Sequence, residues 1–473
     1  MKKTPRLLVV SNRLPMTLSR NEGKWCIQPS SGGLVSALGP VLRNRGGFWA
    51  GWPGTTEKMS IRTMSELLGP ASESSGYRLL PVVLSSEEVD NFYSGFSNSV
   101  LWPLFHDFQS RCDFSPRYWD GYLAVNRKFS RVLNSVCEDG DFVWVNDFHL
   151  IPLGEMLRSA GKSFRTSFFL HIPFPPADIF MKMPWRYEIL GQMSQYDFVC
   201  FQTLRDRRNF MDCLRIFFPD FASSGRGHVL RVRLNGRHFF VGSLPISIDY
   251  QSYSRKGSSR AAISRAKQIK EGLFAEKLIL GVDRLDYSKG IPEKLRGFQR
   301  CLEMYPQLVE KATLYQVVVP SRESVGEYKA LKEEIELLIS RINGKYSSTK
   351  WIPVNWYYGS VSGEELAALY RAADMALITS LKDGMNLVSK EYCACKGRDP
   401  GVLILSEFAG AALQLSRGAI LVNPYDIDRL AAAIFRGFSM EDEEKKKKMN
   451  KITNPHTKIM TMENMKIQIK MKK

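Results

Sequence analysis

Short apolar runs alternate with stretches of helical periodicity along most of the chain. The runs lie at 7–10, 142–145, 167–171 and 198–201, and again at 278–282, 314–319, 375–379 and 402–406. Each is long enough for one buried strand, and a stretch with helical spacing of its apolar residues follows. Strands that alternate with helices in this way indicate parallel sheets with helices on both faces. The pattern therefore predicts an α/β protein.

The length of the chain and a break in the pattern predict two domains. A chain of 473 residues exceeds what one hydrophobic core normally organises. The segment 248–270, rich in Ser, Arg and Lys, separates the two series of strands. We predict two doubly wound, Rossmann-like domains, 1–247 and 248–440, that face a central cleft, and a basic, atypical, disordered tail over 441–473. Ligands of such folds bind beyond the carboxyl ends of the strands.

The formal net charge of +18 is unevenly distributed. Ten lysines and a single acid, Glu463, lie in 445–473, so this segment carries +9, half of the excess. The rest of the chain is only moderately basic, which suits phosphorylated substrates. No motif with interleaved aromatic residues accompanies the charge, so neither a nucleic-acid partner nor a membrane partner is predicted.

The N-terminal apolar run and the cysteines indicate the compartment. The run 7–10 ends at polar residues and is too short for a signal peptide or a membrane span. The eight cysteines are scattered without paired metal-ligand spacing, which is typical of reduced, packed thiols. These features predict a cytoplasmic protein without a metal site.

A pair of cations lies between a strand and a helix in the second half of the chain. Arg284 and Lys289 follow the run 278–282, and a helix is predicted to open at Pro292. Backbone N–H groups at a helix start favour anions, to which an arginine adds a bidentate fork and a lysine a point charge. A solvated loop is the ordinary interpretation of such a pair. Further motifs favour a diphosphate site instead.

The second half also contains a loop that leads into a helix at 383–391. Gly384 permits a close approach of the backbone, and the N–H groups of 386–388 can donate to a phosphate. Glu391 can accept from ribose hydroxyls, and Asp383 would face a donor sugar. Arg322, which follows the run 314–319, adds another cation at a strand end.

The first half places comparable groups at strand ends. Arg13 follows the first strand, and Gly33, the second residue of a Gly-Gly pair, opens a predicted helix, although such a pair alone is more often a simple turn. Asp147 follows the run 142–145, and His171 ends the next strand at the start of a proline-rich turn.

An aromatic-rich region over 91–122 could hold a sugar. Most of its rings are expected to pack in the core, and Tyr93 and Trp102 are the two predicted to contact a ligand.

Taken in order, these motifs resemble the trehalose-6-phosphate synthases, retaining glycosyltransferases of the glycosyltransferase-B fold. The similarity extends from residue 9 to residue 426. It is carried by the segments 9–13, 31–34, 91–103, 119–122, 147–150, 171–175, 284–290, 321–322 and 383–391 and ends near 423–426.

The resemblance implies a reaction and a role for each site residue. Glucose would pass from UDP-glucose to glucose 6-phosphate with retention, giving trehalose 6-phosphate and UDP. The implied catalytic residues are Arg284, Lys289, His171 and Asp383. The implied donor-binding residues are Gly33, Arg284, Lys289, Asp383, Gly384, Met385, Asn386, Leu387, Val388 and Glu391. The implied acceptor-binding residues are Arg13, Tyr93, Trp102, Asp147 and Arg322.

The resemblance also bears on the mechanism. No convincing pair of carboxyl groups flanks the reacting bond, as a retaining glycosidase would require. The family is thought to use front-face attack, in which a leaving phosphate oxygen takes the acceptor proton. No cofactor or metal is expected, because Arg284 and Lys289 already neutralise the diphosphate.

Two alternatives remain open at this stage. Transfer to another phosphorylated acceptor, such as glycerol 3-phosphate, would use the same donor residues. A non-catalytic regulator that binds sugar phosphate is the second alternative, since 441–473 lacks the long amphipathic helix with which the family usually ends. A separate trehalose-phosphate phosphatase is implied, and a homo-oligomer is compatible with the sequence.

Overall fold

The structure, a computed structural model, describes residues 5–29, 33–43, 47–159, 161–322 and 326–453. The chain divides into two compact units, the first ending at Ile246 and the second beginning at Ser247. Each unit has its own parallel sheet. The predicted α/β class with two parallel-sheet domains is therefore confirmed.

The first unit is built around a nine-stranded sheet with the order β5-β4-β1-β6-β7-β8-β11-β10-β9. Pairing is parallel from β5 to β11 and antiparallel from β11 to β9, and β2 and β3 form a separate hairpin. The strands are β1 (Leu7–Arg13), β2 (Met16–Asn21), β3 (Lys24–Pro29), β4 (Phe48–Trp52), β5 (Arg78–Pro81), β6 (Phe142–Asn146), β7 (Arg165–Leu170), β8 (Phe198–Phe201), β9 (Ala222–Ser224), β10 (Val229–Leu234) and β11 (Arg237–Ser243).

Helices connect these strands. Several begin at polar caps, and α9 begins at a capping box in which Thr203 and Asp206 bond reciprocally. The α-helices are α1 (Gly33–Arg43), α2 (Ile61–Ser75), α3 (Ser86–Glu88), α4 (Trp102–Phe105), α5 (Pro116–Val136), α6 (Leu153–Arg158), α7 (Ala177–Phe180), α8 (Arg186–Met193) and α9 (Leu204–Phe217). A π-helical segment, Val89–Leu101, and the 3₁₀ turns Gln109–Arg111 and Phe148–Leu150 complete the unit.

The second unit has a six-stranded, wholly parallel sheet with the order β14-β13-β12-β15-β16-β17. Its strands are β12 (Lys277–Arg284), β13 (Ala312–Val319), β14 (Val354–Tyr358), β15 (Met375–Ile378), β16 (Val402–Ser406) and β17 (Ile420–Val422). Its helices are α10 (Tyr250–Gly257), α11 (Arg260–Gly272), α12 (Ile291–Met304), α13 (Gly326–Tyr346), α14 (Gly363–Ala372), α15 (Leu387–Lys396), α16 (Ala412–Leu415), α17 (Ile427–Ser439) and α18 (Asp442–Thr453), with 3₁₀ turns at Tyr287–Lys289 and Pro306–Leu308.

Both sheets reverse their strand order beside the first strand of the unit. In the first sheet β1 lies between β4 and β6, and in the second β12 lies between β13 and β15. At these points the connections that follow two neighbouring strands run to opposite sides of the sheet, and a crevice opens between them beyond the carboxyl ends of the strands. The topology therefore predicts ligand sites at the carboxyl ends of β1 and β6 in the first unit and of β12 and β15 in the second.

The segment after residue 440 differs from its prediction. Disorder was expected from 441 onward, but the structure has helix α18 over Asp442–Thr453. Met449 and Ile452 are buried on one face of this helix, and Gly418 allows its backbone to come close, since a Cβ there would lie 2.3 Å from the Lys448 carbonyl oxygen. Tertiary packing stabilises a helix whose composition is strongly polar. Residues 454–473 of the predicted tail lie outside the described residues.

Two further features concern possible membrane spans and the cysteines. Among the described helices, none has the length and apolar character that crossing a membrane requires. All eight cysteines are free thiols.

Candidate functional site

The loop after β12 is shaped by a buried aspartate and an obligatory glycine. Asp286 Oδ1 accepts from the Ser288 backbone N–H at 3.0 Å and from its hydroxyl at 2.8 Å. Gly290 has φ +61°, and a Cβ there would lie 2.1 Å from the Thr379 carbonyl oxygen. A left-handed glycine in such close contact turns the chain directly into helix α12. Exposed Arg284 and largely buried Lys289 are thereby held beyond the end of the strand.

Lys289 meets Asp383 across the sheet switch point. The Lys289 Nζ lies 2.7 Å from Asp383 Oδ2, and the two side chains are only 12% and 13% exposed. Asp383 Oδ2 also lies 3.3 Å from the Ser380 hydroxyl and from Asn386 Nδ2. The lysine comes from the end of β12 and the aspartate from the loop after β15, so the parallel register unites two predicted site residues.

The loop that leads into α15 is anchored at two of its residues to the segment 410–411. The carbonyl oxygens of Asp383 and Met385 accept from the backbone N–H groups of Gly410 and Ala411, at 3.0 and 2.7 Å. Gly410 approaches so closely that a Cβ there would lie 2.0 Å from the Gly384 carbonyl oxygen. Backbone hydrogen bonds and close packing therefore hold the predicted donor residues of this loop in place.

Helix α15 begins at a side-chain cap. Asn386, with φ +77°, caps the helix through Oδ1, which accepts from the Ser389 N–H at 3.0 Å. Half-buried Leu387 and Val388 form the first turn. The start of this helix, with its N–H groups, is suited to an anionic ligand.

Glu391 is buried one turn further along α15. Its Oε1 accepts from the Tyr253 hydroxyl at 3.0 Å and its Oε2 from the Tyr370 hydroxyl at 2.8 Å. Burial raises the pKa of Glu391, and the two hydroxyls partly oppose this effect. Tyrosines from α10 and α14 thus fix the direction of the carboxylate. Any ribose hydroxyl must use its remaining lone pairs.

Arg322 lies beside the loop after β12, which contains Asp286. Its side chain is 5% exposed, and Nη1 lies 3.2 Å from Oδ2 of fully buried Asp286 and also contacts the Tyr328 hydroxyl. The Arg322 backbone has φ +52°, an unusual conformation for a non-glycine residue that the surrounding contacts must hold. The structure therefore groups Arg322 with Arg284 and Lys289 around one turn.

In the first unit, Arg13 is stacked among aromatic rings at the end of β1. Its guanidinium carbon lies 3.9 Å from the Trp52 ring centroid and 5.8 Å from that of Tyr93. Burial lowers the pKa of Arg13, which nevertheless retains its charge. Tyr93 in turn stacks on His149 with centroids 5.9 Å apart. The rings fix the direction of a cation that is suited to an anionic ligand.

Trp102 occupies a more interior position than its predicted ligand contact suggests. The residue is 4% exposed, and its ring lies 4.1 Å from His106 and 5.7 Å from Phe148, measured between centroids. Gly33 is the first residue of α1. Its predicted partner Gly32, by contrast, lies outside the described residues.

Asp147 and His171 meet at the ends of β6 and β7. Asp147 has φ +75°, and its Oδ1 accepts from the His171 backbone N–H at 3.1 Å. The His171 ring lies between Asn146 Oδ1, 3.1 Å from Nε2, and Gln202 Nε2, 3.5 Å from Nδ1.

These amides define the state of the His171 ring. Asn146 directs its Nδ2 toward the Val10 and Trp144 carbonyls, so its Oδ1 faces the ring and requires an Nε2–H donor. Burial lowers the pKa of His171 to about 3. The ring is therefore neutral, with its proton on Nε2, and acts through hydrogen bonds rather than charge.

Several residues of these sites were not predicted from the sequence. Each contacts a predicted site residue that is far from it in the sequence: Trp52, Asn146, Gln202, Tyr253, Asp286 and Tyr370. Only Asp286 carried a local signal, since it lies between Arg284 and Lys289 and precedes a serine that it can cap.

Comparison with known proteins identifies the relatives of this chain. The sequence profile of glycosyltransferase family 20 matches residues 5–463. The UDP-forming alpha,alpha-trehalose-phosphate synthase A of Dictyostelium discoideum is 41% identical over 446 residues, which are 94% of this chain. The chain spans 59% of the length of that relative.

Two solved structures are similar over nearly their whole length. A UDP-forming alpha,alpha-trehalose-phosphate synthase from Burkholderia xenovorans, in complex with glucose-6-phosphate, has a TM-score of 0.87 and 30% identity, covering 98% of this chain and 99% of the other. An Escherichia coli trehalose-6-phosphate protein bound with UDP-2-fluoro glucose has a TM-score of 0.84 and 34% identity, covering 98% of both chains. The chain described here belongs to glycosyltransferase family 20.

Proposed function

We propose that this protein transfers glucose from UDP-glucose to glucose 6-phosphate with retention, forming trehalose 6-phosphate and UDP. The observation that carries the proposal is the pairing of Lys289 with Asp383 at the switch point of the second sheet, beside Arg284 and the start of α15. This arrangement combines two cations for a diphosphate with a carboxylate for a sugar. The relatives bound to glucose-6-phosphate and to a UDP-glucose analogue support the choice of substrates.

The donor would bind at the end of β12 and the start of α15. Arg284 and Lys289 neutralise the diphosphate, and the backbone of Gly384 to Val388 surrounds the phosphate and the ribose. Glu391, directed by its two tyrosines, accepts from ribose hydroxyls. Asp383 accepts from hydroxyls of the transferred glucose. Gly33 lies against the diphosphate.

The acceptor would be recognised by a phosphate clamp and a sugar-binding surface. Arg13 and Arg322 bind the phosphate of glucose 6-phosphate through bidentate contacts. Tyr93 and Trp102 pack against the sugar, and Asp147 accepts from its hydroxyls.

The reaction breaks the bond between the anomeric carbon and the β-phosphate oxygen and forms a new bond to the 1-hydroxyl oxygen of the acceptor. The acceptor hydroxyl loses its proton to the leaving phosphate oxygen on the same face of the sugar, so the configuration is retained. Arg284 and Lys289 stabilise the charge that develops on UDP. Neutral His171, whose ring nitrogens face Asn146 and Gln202, contacts the transferred glucose.

Two further proposals concern the setting of the reaction. The free thiols favour a reducing compartment, so we place the enzyme in the cytoplasm. A phosphatase activity would then be required to convert the phosphorylated product to the free disaccharide.

The proposal is tested by measuring UDP release from UDP-glucose with glucose 6-phosphate, with glycerol 3-phosphate and without an acceptor. We expect release with glucose 6-phosphate alone, together with a product that a phosphatase converts to trehalose. Release with glycerol 3-phosphate alone would establish the alternative acceptor. Calorimetric binding of glucose 6-phosphate without any UDP release would favour the non-catalytic regulator.

A further inference from the structure

The carboxylate of Asp286 contacts both the turn that carries Lys289, which is assigned to the donor, and Arg322, which is assigned to the acceptor. One oxygen, Oδ1, caps the turn that carries Lys289 by accepting from Ser288. The other, Oδ2, is 3.2 Å from Nη1 of Arg322. The side chain of Asp286 has no exposed surface. A single buried group therefore contacts both the donor-side turn and the acceptor-side arginine.

We propose that Asp286 is a positioning residue that orients Arg322 for the acceptor phosphate, an inference that rests on the proposed function. A guanidinium is planar, so engagement of Nη1 by Asp286 and the Tyr328 hydroxyl sets the plane of the whole fork. The side chain of Arg322 is only 5% exposed, which leaves a phosphate a narrow approach to it. A small rotation of the fork would therefore misalign a bidentate contact.

The backbone of Arg322 supports this interpretation. Its φ of +52° is costly for a residue with a side chain and persists only where contacts hold it. The ion pair with buried Asp286 is such a contact. Strain of this kind at a ligand-binding position is typical of preorganised sites.

The variant Asp286→Asn separates the two roles of the carboxylate. Asparagine retains Oδ1 as an acceptor for Ser288, so the turn that carries Lys289 keeps its cap. It replaces Oδ2 by an amide donor that faces the Nη1 donor of Arg322, so the orienting contact is lost. Removal of a negative charge would by itself strengthen phosphate binding. The sign of the effect therefore distinguishes orientation from simple charge neutralisation.

The matched control is Asp283→Asn, near the end of β12, the strand that leads into the loop of Asp286. Asp283 is also buried, 2% exposed, but it pairs with Lys294 and accepts from Gln316 Nε2 at 3.0 Å. Both substitutions break a buried ion pair and are expected to lower the melting temperature. Only Asp286→Asn changes a partner of Arg322.

Steady-state rates would be measured for both substrates with both variants. For Asp286→Asn we expect the KM for glucose 6-phosphate to rise by about tenfold or more, while the KM for UDP-glucose stays within about threefold of the wild-type value. For Asp283→Asn we expect an acceptor KM within about twofold of wild type. An unchanged or lower acceptor KM in Asp286→Asn would overturn the proposal, as would an equal rise in the control.

Two measurements keep the test decisive if a variant or the assay fails. Tyr328→Phe removes the hydroxyl that contacts Nη1 and keeps the ring, so if Asp286→Asn does not fold, this variant should raise the acceptor KM about threefold. No rise in the acceptor KM would contradict the proposal.

If the wild type transfers no glucose, the proposed function fails. Calorimetric binding of glucose 6-phosphate to wild type and Asp286→Asn then supports the positioning role if the variant binds more weakly and refutes it if affinities match.

Discussion

The ion pair between Lys289 and Asp383 supplies the sharpest test of the donor site. Lys289→Ala removes a charge whose Nζ lies 2.7 Å from the Asp383 carboxylate, which is only 13% exposed. Exposed pairs contribute roughly 0.2–1 kcal/mol, whereas removing one partner of a fully buried pair costs roughly 3–5 kcal/mol. At this intermediate burial we expect a loss of about 2 kcal/mol in the free energy of unfolding.

The catalytic effect should exceed the effect on stability. A fixed cation at a developing negative charge is typically worth about 10²–10³ in kcat, so we expect kcat to fall by that factor. In Lys289→Ala/Asp383→Asn the negative charge of the carboxylate is removed as well, so part of the lost stability should return. The cation is still missing, so kcat should not recover.

Urea unfolding and initial rates of UDP release would be measured for the single and double variants. Lys270→Ala is the matched control in the same unit, since Lys270 pairs with Asp374 at 2.9 Å but is 43% exposed. It should lose less than about 1 kcal/mol and keep the wild-type kcat. A kcat within threefold of wild type for Lys289→Ala, or its recovery in the double variant, would refute a role for this charge in the transition state.

Three further predictions concern a backbone position, a buried network and a histidine. Gly290→Ala should lower stability by more than about 2 kcal/mol because of its left-handed φ and the contact with Thr379, whereas Gly344→Ala in α13, with open space around it, should raise stability by about 0.5–1 kcal/mol; thermal melts compare them, and equal shifts would contradict the steric reasoning. Tyr370→Phe removes a donor to Glu391 and should raise the KM for UDP-glucose several-fold while leaving that for glucose 6-phosphate unchanged, so a change confined to the acceptor would be the wrong outcome. Burial lowers the pKa of His171 to about 3, so as the pH falls below about 6.5 the histidine is protonated in the unfolded chain but not in the folded protein, and the free energy of unfolding should drop by up to about 1.4 kcal/mol per pH unit. His171→Asn should flatten this slope between about pH 4 and 6 in urea titrations. An unaltered slope would contradict the assignment of a neutral ring.

The sequence by itself determined the class of fold and predicted the location of the chemistry. Runs such as 7–10 and 278–282 are continuously apolar because strands of a parallel sheet are buried on both faces, and this signal is local. Arg284 and Lys289 could be assigned to an anion site for the same reason, since strand, turn and helix start are contiguous. Short-range spacing was sufficient for the class of fold, whereas the prediction of the anion site also needed the motifs elsewhere in the chain.

The tertiary structure alone decided which groups touch. Lys289 and Asp383 are distant in sequence and meet because β12 and β15 are neighbours in the sheet. Glu391 is held by tyrosines from two other helices, and α18 forms where a polar sequence finds an apolar surface. Spacing along the chain carries no information on such contacts, because they depend on strand order and side-chain packing. The sequence thus determined which residues are available for catalysis, and the packing of the sheets and helices decided how each is oriented and charged.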